Sequence, residues 1–235
     1  MIYQGSKAKI AKEILPIMTT EDTEIFVDLF AGGGNLLQYV ECPNIIANDI
    51  NLYTIDFLKT ISTTTEWIPQ DSNDFTRENY KEVQSNKSNY PEYFIGHVGY
   101  NLSYGGKFFG GFRHDNTGKR DYVSEAYRGA LKQAELLRGK NIMFYNTSYE
   151  NVPIPSKATI YCDIPYKNTT KYHKVNFDYE HFYNWCIKKK EEGYKVFVSE
   201  YSMPEPFKVV WEKKVRMTMK LEDNSKVVTE KLFTL

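Results

Sequence analysis

The segment that most constrains the fold is residues 25–37, which read IFVDLFAGGGNLL. An apolar run ends there in a glycine cluster, and residues compatible with a helix follow, so the segment predicts a strand, a tight turn and a helix start. Glycines at such a turn let the backbone pass close to a ligand beside a helix N-terminus. A plain strand–turn–helix connection is the alternative interpretation of this motif taken alone.

Strand-like and helix-like segments alternate along much of the remaining chain. Apolar runs that predict further strands lie at residues 44–48, 141–146, 158–162 and 195–201, and segments with helical character lie at 6–18, 51–61, 121–138 and 178–192. Such alternation predicts an α/β fold with a doubly wound, parallel, Rossmann-like sheet. Near the end, FKVVWEKKVRMTM and KVVTEKLFTL flank the turn-like LEDNS, which predicts an antiparallel C-terminal hairpin.

The pattern changes between residues 63 and 120, which are rich in Asn, Ser and Gly and end in YNLSYGGKFFGGFRHDNTGKR. We therefore expect a catalytic domain formed by residues 1–69 and 140–235, interrupted by an inserted subdomain at 70–139. Basic groups in the aromatic stretch 100–120 can contact phosphates, and aromatic side chains can wedge into or stack on bases. A hairpin with a small aromatic core and solvated charges is the alternative.

The charge balance limits how this chain can bind nucleic acid. Lys+Arg and Asp+Glu both number 30, so a nucleic-acid contact needs a local basic patch. No run of 18 apolar residues predicts a membrane span, and the polar, basic N-terminus predicts no signal peptide. The three cysteines lack CxxC spacing and the four histidines lack ligand spacing, so we expect a reducing compartment and no metal site.

An acidic residue, Asp49, follows the glycine cluster by about 20 residues, at the predicted end of the next strand. A carboxylate at that place suits hydrogen bonding to ribose hydroxyls. The dinucleotide fingerprint GxGxxG fails because Leu37 stands where the third Gly should be, and no phosphate-loop motif occurs. An adenosine-type ligand without a pyrophosphate remains, and S-adenosylmethionine fits that description.

The tetrapeptide Asp163-Ile164-Pro165-Tyr166 follows an apolar strand. The Asp163 carboxylate and the Ile164 carbonyl can accept hydrogen bonds from an amino group, and Tyr166 can stack on a flat ring. Together they would hold an aromatic amine by its NH₂ group and its face. A strand-end turn containing proline is the alternative interpretation of this tetrapeptide alone.

Taken in order, these segments resemble the Dam-type adenine-N6 DNA methyltransferases, particularly their phage-encoded relatives. The resembling segments are YQGSKAKI, FVDLFAGGGN, ANDIN, FYNTSY and YCDIPY, and the C-terminal VFVSEY and VVTEKLF resemble strands of phage members. The resemblance implies methyl transfer from S-adenosylmethionine to the N6 amino group of adenine in double-stranded DNA, after the base is flipped out of the helix.

The resemblance also implies roles for individual residues. The donor would be held by Tyr3, Lys7, Asp28, Phe30, Gly32, Gly34, Asn35, Asp49, Ile50, Asn146 and Ser148, with Asp163 bridging donor and target. The catalytic residues would be Asp163, Ile164, Pro165 and Tyr166. DNA would be contacted by Tyr104, Lys107, Phe109, Arg113, His114 and Arg120.

The same resemblance sets the expected cellular setting. It implies a cytoplasmic enzyme of a bacterial or phage-infected cell, connected with restriction-modification, with no obligate protein partner and no membrane contact. GATC is the family's commonest short target.

One position departs from the family pattern. Ile164 stands where the family usually has proline, which frees the local φ angle and would loosen the loop, although the carbonyl is retained. We expect activity to survive this change. Other hypotheses are a catalytically impaired DNA-binding homologue, a methyltransferase acting on RNA adenine or protein glutamine, and, last, a nicotinamide dehydrogenase.

Overall fold

The computed structural model describes residues 1–167, 177–216 and 227–235. The helices are α1 (Ala11–Met18), α2 (Leu52–Ile61), α3 (Arg77–Ser85), α4 (Glu92–Gly96), α5 (Tyr122–Leu137) and α6 (Tyr179–Glu191). The strands are β1 (Ile25–Asp28), β2 (Asn44–Asn48), β3 (Ile142–Tyr145), β4 (Thr159–Asp163), β5 (Lys195–Glu200), β6 (Lys208–Arg216) and β7 (Val227–Thr234). A π-helical segment, His97–Asn101, continues α4.

The strands form one seven-stranded sheet in the order β3-β2-β1-β4-β5-β7-β6. The first five strands in this order run parallel, and Asp28 of β1 lies in register with Ala47 on one side and Tyr161 on the other. The order reverses between β1 and β4, which is where open α/β sheets bind ligands. The predicted doubly wound α/β sheet is confirmed.

The C-terminal hairpin is also confirmed. Strand β7 pairs antiparallel with both β5 and β6, so β6 forms the edge of the sheet. The turn-like LEDNS segment and the end of the first predicted run, together with His173, lie outside the described residues.

Alternate residues of the central strands pack on opposite faces of the sheet, as expected for strands covered on both sides. Phe26 and Tyr161 face α1, α2 and α5, whereas Val27 and Cys162 face α6. A third cluster, built around Tyr80, Val98 and Leu102, forms the interior of the segment between α2 and α5.

Helix α5 contributes to two of these clusters. Val123 and Ala126, near its start, pack in the third cluster, whereas Ala134 and Leu137, near its end, pack in the main core. Asp121 caps this helix, accepting from the backbone N–H of Val123 at 2.9 Å. The helix therefore packs both against the sheet and against the segment 70–121. The domain boundaries given above stay a prediction.

Two local expectations were wrong. The helix start after the glycine cluster is only a 3₁₀ turn, Leu37–Tyr39, because few residues separate the glycine turn from β2 at Asn44. The predicted helix 6–18 begins only at Ala11, because Ser6 accepts from the backbone of Ala8 at 3.3 Å. The residues before it contact the glycine turn through Tyr3 and the end of β4 through Lys7. No helix in the described ranges is long and apolar enough to cross a membrane.

Candidate functional site

Three aspartates meet where the sheet order reverses. Asp28 is the last residue of β1, Asp163 is the last residue of β4, and Asp49 follows β2 directly. Because β2, β1 and β4 are parallel neighbours, their carboxyl ends lie side by side. The fold therefore brings these three residues, predicted from distant segments of the sequence, to the carboxyl ends of neighbouring strands.

The glycine turn after β1 is covered by Tyr3. A Cβ at Gly32 would lie 2.7 Å from Tyr3 Cε1, and a Cβ at Gly33 would lie 2.6 Å from Tyr3 Cβ. Gly34 has φ +65° and its Cβ would meet a Leu58 methyl at 2.5 Å. Two of these glycines therefore admit Tyr3 close to the backbone, and the third is required for packing against α2.

Asp49 links the glycine turn to α2. One carboxylate oxygen accepts from Gly32 N–H at 2.8 Å, and the other accepts from Asn51 N–H at 2.9 Å. The neighbouring Ile50 is 66% exposed, so an apolar surface lies beside this carboxylate. Such a pair can bind the hydroxyls of a ribose and one face of an attached base.

The segment 146–148, predicted to contact the methyl donor, lies against the loop that carries Asp49. Asn146 Nδ2 donates to the Asp49 carbonyl oxygen at 2.8 Å, and Asn48 Nδ2 donates to the Thr147 carbonyl at 3.1 Å. Ser148 Oγ donates to a Glu150 carboxylate oxygen at 3.3 Å. These bonds hold the segment against the loop that carries Asp49.

Two other residues predicted to hold the methyl donor, Phe30 and Asn35, have surroundings different from those of Asp49. Phe30 packs among aromatic rings, with centroid distances of 5.6 Å to Tyr149 and 5.9 Å to Phe182. Asn35 accepts from Gln38 at 3.2 Å and lines a cleft shared with α5 residues such as Gln133. Asn35 is therefore placed on the α5 side of the glycine turn.

The Asp163 carboxylate is paired with a buried lysine. Lys7 Nζ lies 2.8 Å from Asp163 Oδ1 and donates to the Gly5 carbonyl at 3.0 Å. The same ammonium group lies 4.8 Å from the centroid of the Tyr166 ring. Lys7 thus contacts both groups that the sequence assigns to the target amine.

The loop that follows β4 is fixed by contacts from other elements. The Pro165 carbonyl accepts from the Tyr179 hydroxyl at 2.8 Å, and Lys167 N–H donates to Glu200 at 2.9 Å. The Tyr166 hydroxyl donates to Glu230 at 2.7 Å. Ile164 is buried in the core that faces α6. The loop is therefore well anchored despite the absence of proline at Ile164.

The electrostatics of the site favour a cation. Burial raises the pKa of Asp28 well above its ordinary range, and the nearby Asp163 charge raises it further. Burial likewise raises the pKa of Asp163 and of Asp49, although the Lys7 charge opposes the shift at Asp163. Partly desolvated carboxylates gain when a positive ligand approaches, so the residues present fit a sulfonium-bearing donor.

The predicted DNA-contacting residues occupy the segment before α5. Arg113 lies 3.5 Å from Glu125 and 4.4 Å above the Tyr122 ring. Arg120 donates to both carboxylate oxygens of Glu125 at 2.8 Å. The two arginines therefore share Glu125 in this structure.

The other residues of that prediction divide between surface and interior. Tyr104 is 45% exposed, and its hydroxyl lies 3.1 Å from His114 Nδ1. Phe109 packs in the third cluster, 5.3 Å from the Tyr80 ring centroid. Lys107, which lies between them in sequence, is exposed. Among the described residues, no group of three His, Cys, Asp or Glu side chains is arranged to hold a metal ion.

Comparison with known proteins identifies the family. A sequence model of the D12 class N6 adenine-specific DNA methyltransferases matches residues 3–138, which is more than half of the chain. The chain belongs to this family. The resemblance to adenine-N6 DNA methyltransferases is thereby confirmed. The D12 match includes Tyr3, Lys7, the glycine turn and Asp49, and it ends before Asp163.

A curated relative is also a methyltransferase. The Type II methyltransferase M.FokI of Planomicrobium okeanokoites is 28% identical over 191 residues. That alignment covers 72% of this chain and 29% of the relative. The chain therefore spans less than a third of the length of that relative.

Three residues at this candidate site were not predicted from the sequence: Tyr179, Glu200 and Glu230. Each contacts the loop after β4 from a later element of the chain. Glu200 could have been recognised from the sequence, because an acidic residue at the end of an apolar strand is unusual. In the structure this residue is buried. Nothing in the local sequence pattern singles out Tyr179 or Glu230.

Proposed function

We propose that this chain transfers a methyl group from S-adenosylmethionine to the N6 amino group of adenine in double-stranded DNA. The observation that carries the proposal is the adjacency of Asp163 and Tyr166 to the Asp28–Gly34 and Asp49 segments across the reversal of the sheet. A base grip and a donor cleft would then share one wall. Membership of the D12 family supports the reaction and the substrate class.

The residues of the chain would act mainly by positioning. S-adenosylmethionine would supply a methyl group bound to a positively charged sulfur. As the methyl–sulfur bond breaks, that sulfur becomes a neutral thioether. The Asp163 carboxylate and the Ile164 carbonyl would accept the two amino hydrogens and direct the nitrogen lone pair toward the methyl carbon. After transfer the nitrogen would carry one extra proton, which Asp163 would accept.

Tyr166 and Lys7 would act on the base before transfer. An adenine in a duplex is stacked, so it must leave the helix to reach Asp163. Tyr166 would then stack on the adenine ring. Because Lys7 lies against both Asp163 and Tyr166, its ammonium group would move aside as the base enters.

Labelled-methyl transfer tests this proposal directly. Purified chain is incubated with labelled S-adenosylmethionine and, in parallel, duplex DNA, single-stranded DNA, RNA and a protein glutamine substrate. We expect label on the duplex DNA, in N6-methyladenine, and its loss in Asp163→Ala. The matched control is Asp22→Ala, which changes an exposed aspartate before β1. Label on RNA or protein instead, or bound donor without transfer, would overturn the proposal.

The target sequence and setting are part of the same proposal. We propose a short target such as GATC and a role connected with restriction-modification in the cytoplasm of a bacterial or phage-infected cell. The Type II methyltransferase relative supports the second part. Long-read detection of modified adenine in DNA from cells expressing the chain reports activity and target together. Methylation at every adenine, or at none, would contradict a short specific target.

A further inference from the structure

The Tyr166 side chain is held on three sides. Its hydroxyl donates to Glu230 Oε2 at 2.7 Å. Its ring meets the Tyr201 ring nearly edge-on, with centroids 4.6 Å apart and planes at 81°. The Lys7 ammonium lies near its centroid. Of these contacts, the bond to Glu230 is the one that fixes the far end of the ring.

Glu230 reaches this position from the C-terminal hairpin. It lies on β7, next to Lys231, which is in register with Glu200 at the end of β5. Tyr166 and Glu230 are 64 residues apart in the chain. The hairpin therefore does more than cover the edge of β5, since one of its side chains contacts the predicted catalytic loop.

The backbone of the loop and the ring of Tyr166 are fixed by different groups. Glu200 binds the Lys167 N–H and Tyr179 binds the Pro165 carbonyl, so the backbone on either side of Tyr166 is anchored. These bonds leave the two torsions of the tyrosine side chain undetermined. A ring that must stack on an entering base loses less conformational entropy when its orientation is already fixed.

We propose that Glu230 is a positioning residue that holds the ring plane of Tyr166 for the target adenine. The inference rests on the proposed methyl transfer. When the Lys7 ammonium leaves, the ring face becomes available while the Glu230 bond keeps its angle. The bond is short and has an acidic acceptor, which makes it one of the stronger hydrogen bonds available to a tyrosine. The hairpin thereby compensates for the isoleucine at position 164, where proline would have stiffened the loop.

The test compares Glu230→Ala with Glu230→Gln, which keeps an acceptor oxygen. The matched control is Glu212→Ala, on the neighbouring strand, whose side chain is 61% exposed and 3.9 Å from Lys231. We expect Glu230→Ala to lower kcat about tenfold, as loss of one charged hydrogen bond at the reacting base would. Glu230→Gln should stay within about threefold of the parent, and donor affinity without DNA should be unchanged in all three.

A fluorescence readout separates positioning from general damage. DNA carrying 2-aminopurine at the target position reports stacking of the flipped base, because stacking on an aromatic ring quenches it. We expect brighter emission from the Glu230→Ala complex than from the parent complex, and parent-like emission from Glu230→Gln. Melting temperatures of all variants identify any loss of fold.

A double-mutant cycle measures whether Glu230 and Tyr166 act through the same hydrogen bond. Tyr166→Phe removes the same hydrogen bond while keeping the ring and Glu230, so it remains informative where Glu230→Ala does not fold. The double variant should be no slower than the slower single variant. Parent-like kcat in Glu230→Ala, additive losses, or no rescue by glutamine would overturn the inference. A parent that methylates no DNA would overturn the proposed function instead, and the fluorescence comparison would still test Glu230.

Discussion

The Lys7 ammonium lies 2.8 Å from the Asp163 carboxylate and over the ring of Tyr166. In the proposed reaction an entering adenine would need both of these partners, so the base and Lys7 would compete for one position. The lysine side chain is nearly buried, and its charge compensates an aspartate whose pKa is raised by burial. Lys7 therefore supplies the positive, hydrogen-donating group that Asp163 and Tyr166 contact in this structure.

Replacing Lys7 should shift the pH dependence of methyl transfer. A protonated Asp163 cannot accept from the target amine, so activity falls as pH falls through its pKa. Lys7 lowers that pKa, and Lys7→Met should therefore raise it and move the acid limb to higher pH. The measurement is kcat/KM for DNA against pH at saturating donor, because this ratio reports the pKa of Asp163 before the base displaces Lys7. Lys12→Met, at an exposed position of α1, is the control. An acid limb that stays in place or moves to lower pH would contradict the assignment.

Asp49→Asn should weaken donor binding. Asparagine keeps one acceptor oxygen for Gly32 or Asn51 but loses the charge and the second acceptor. We expect the binding free energy of S-adenosylmethionine to fall by about 1.5–3 kcal/mol for each charged hydrogen bond lost. Calorimetry without DNA measures the change, and DNA affinity without donor should stay near that of the parent. Unchanged donor affinity would exclude Asp49 from the donor cleft.

A methyl group added at Gly33 should displace Tyr3. The new Cβ would lie 2.6 Å from Tyr3 Cβ, closer than carbon atoms approach, so the N-terminal segment must shift. Gly33→Ala should therefore reduce both thermal stability and donor affinity, the former by about 1–3 kcal/mol. The measurements are a melting curve and a donor titration.

Gly129→Ala is the matched control for that substitution. Gly129 lies inside α5, and a Cβ there would meet nothing within 4 Å. Alanine at a helix interior should stabilise the protein by about 0.5–1 kcal/mol. Equal effects of the two glycine substitutions would show that Tyr3 is not held by the glycine turn.

Lys107 and Arg113 should affect DNA binding in different ways. Lys107→Ala should weaken binding to all duplexes and reduce the dependence of log affinity on log salt by about one unit. Arg113→Ala should cost about 1–3 kcal/mol on the preferred sequence only. Titrations against salt on specific and nonspecific duplexes measure both. Two variants that bind every duplex like the parent would move the recognition surface elsewhere.

Glu125 provides a further check on that surface. It pairs with both Arg113 and Arg120, so it neutralises charge that DNA phosphates would otherwise attract. Glu125→Gln should therefore tighten binding to nonspecific duplexes at low salt and steepen the salt dependence. Weaker binding of this variant would show that Glu125 orders the arginines rather than competing with DNA for them.

The layout of the fold was predictable from local sequence patterns. Apolar runs next to glycine or aspartate identified β1, β2 and β4, and the alternation with helices identified the parallel sheet. The chemistry-bearing Asp49 and Asp163 were recognisable because each directly follows an apolar run. What those residues bind stays a prediction.

Contacts between distant segments were not predictable. Tyr3 covers the glycine turn, Lys7 pairs with Asp163 and Glu230 holds Tyr166, and each of these contacts joins parts of the chain far apart in sequence. Hydrophobic periodicity reports which face of an element is buried and carries no information about such pairings. The prediction of a helix after the glycine turn was wrong for a related reason. Too few residues separate that turn from β2 to form a helix, and the position of β2 is set by its pairing in the sheet.

Helix α5 packs in two clusters, and this limits which changes in the segment before it could alter the DNA sequence that the proposed enzyme recognises. Exchanging the whole segment before α5 would replace most of the cluster in which Val123 and Ala126 pack, so the helix would have to change with it. Substitutions at the exposed positions of residues 104–120 leave both clusters intact. New specificities should therefore arise mostly by point changes in that stretch, with the first half of α5 inherited alongside any larger replacement.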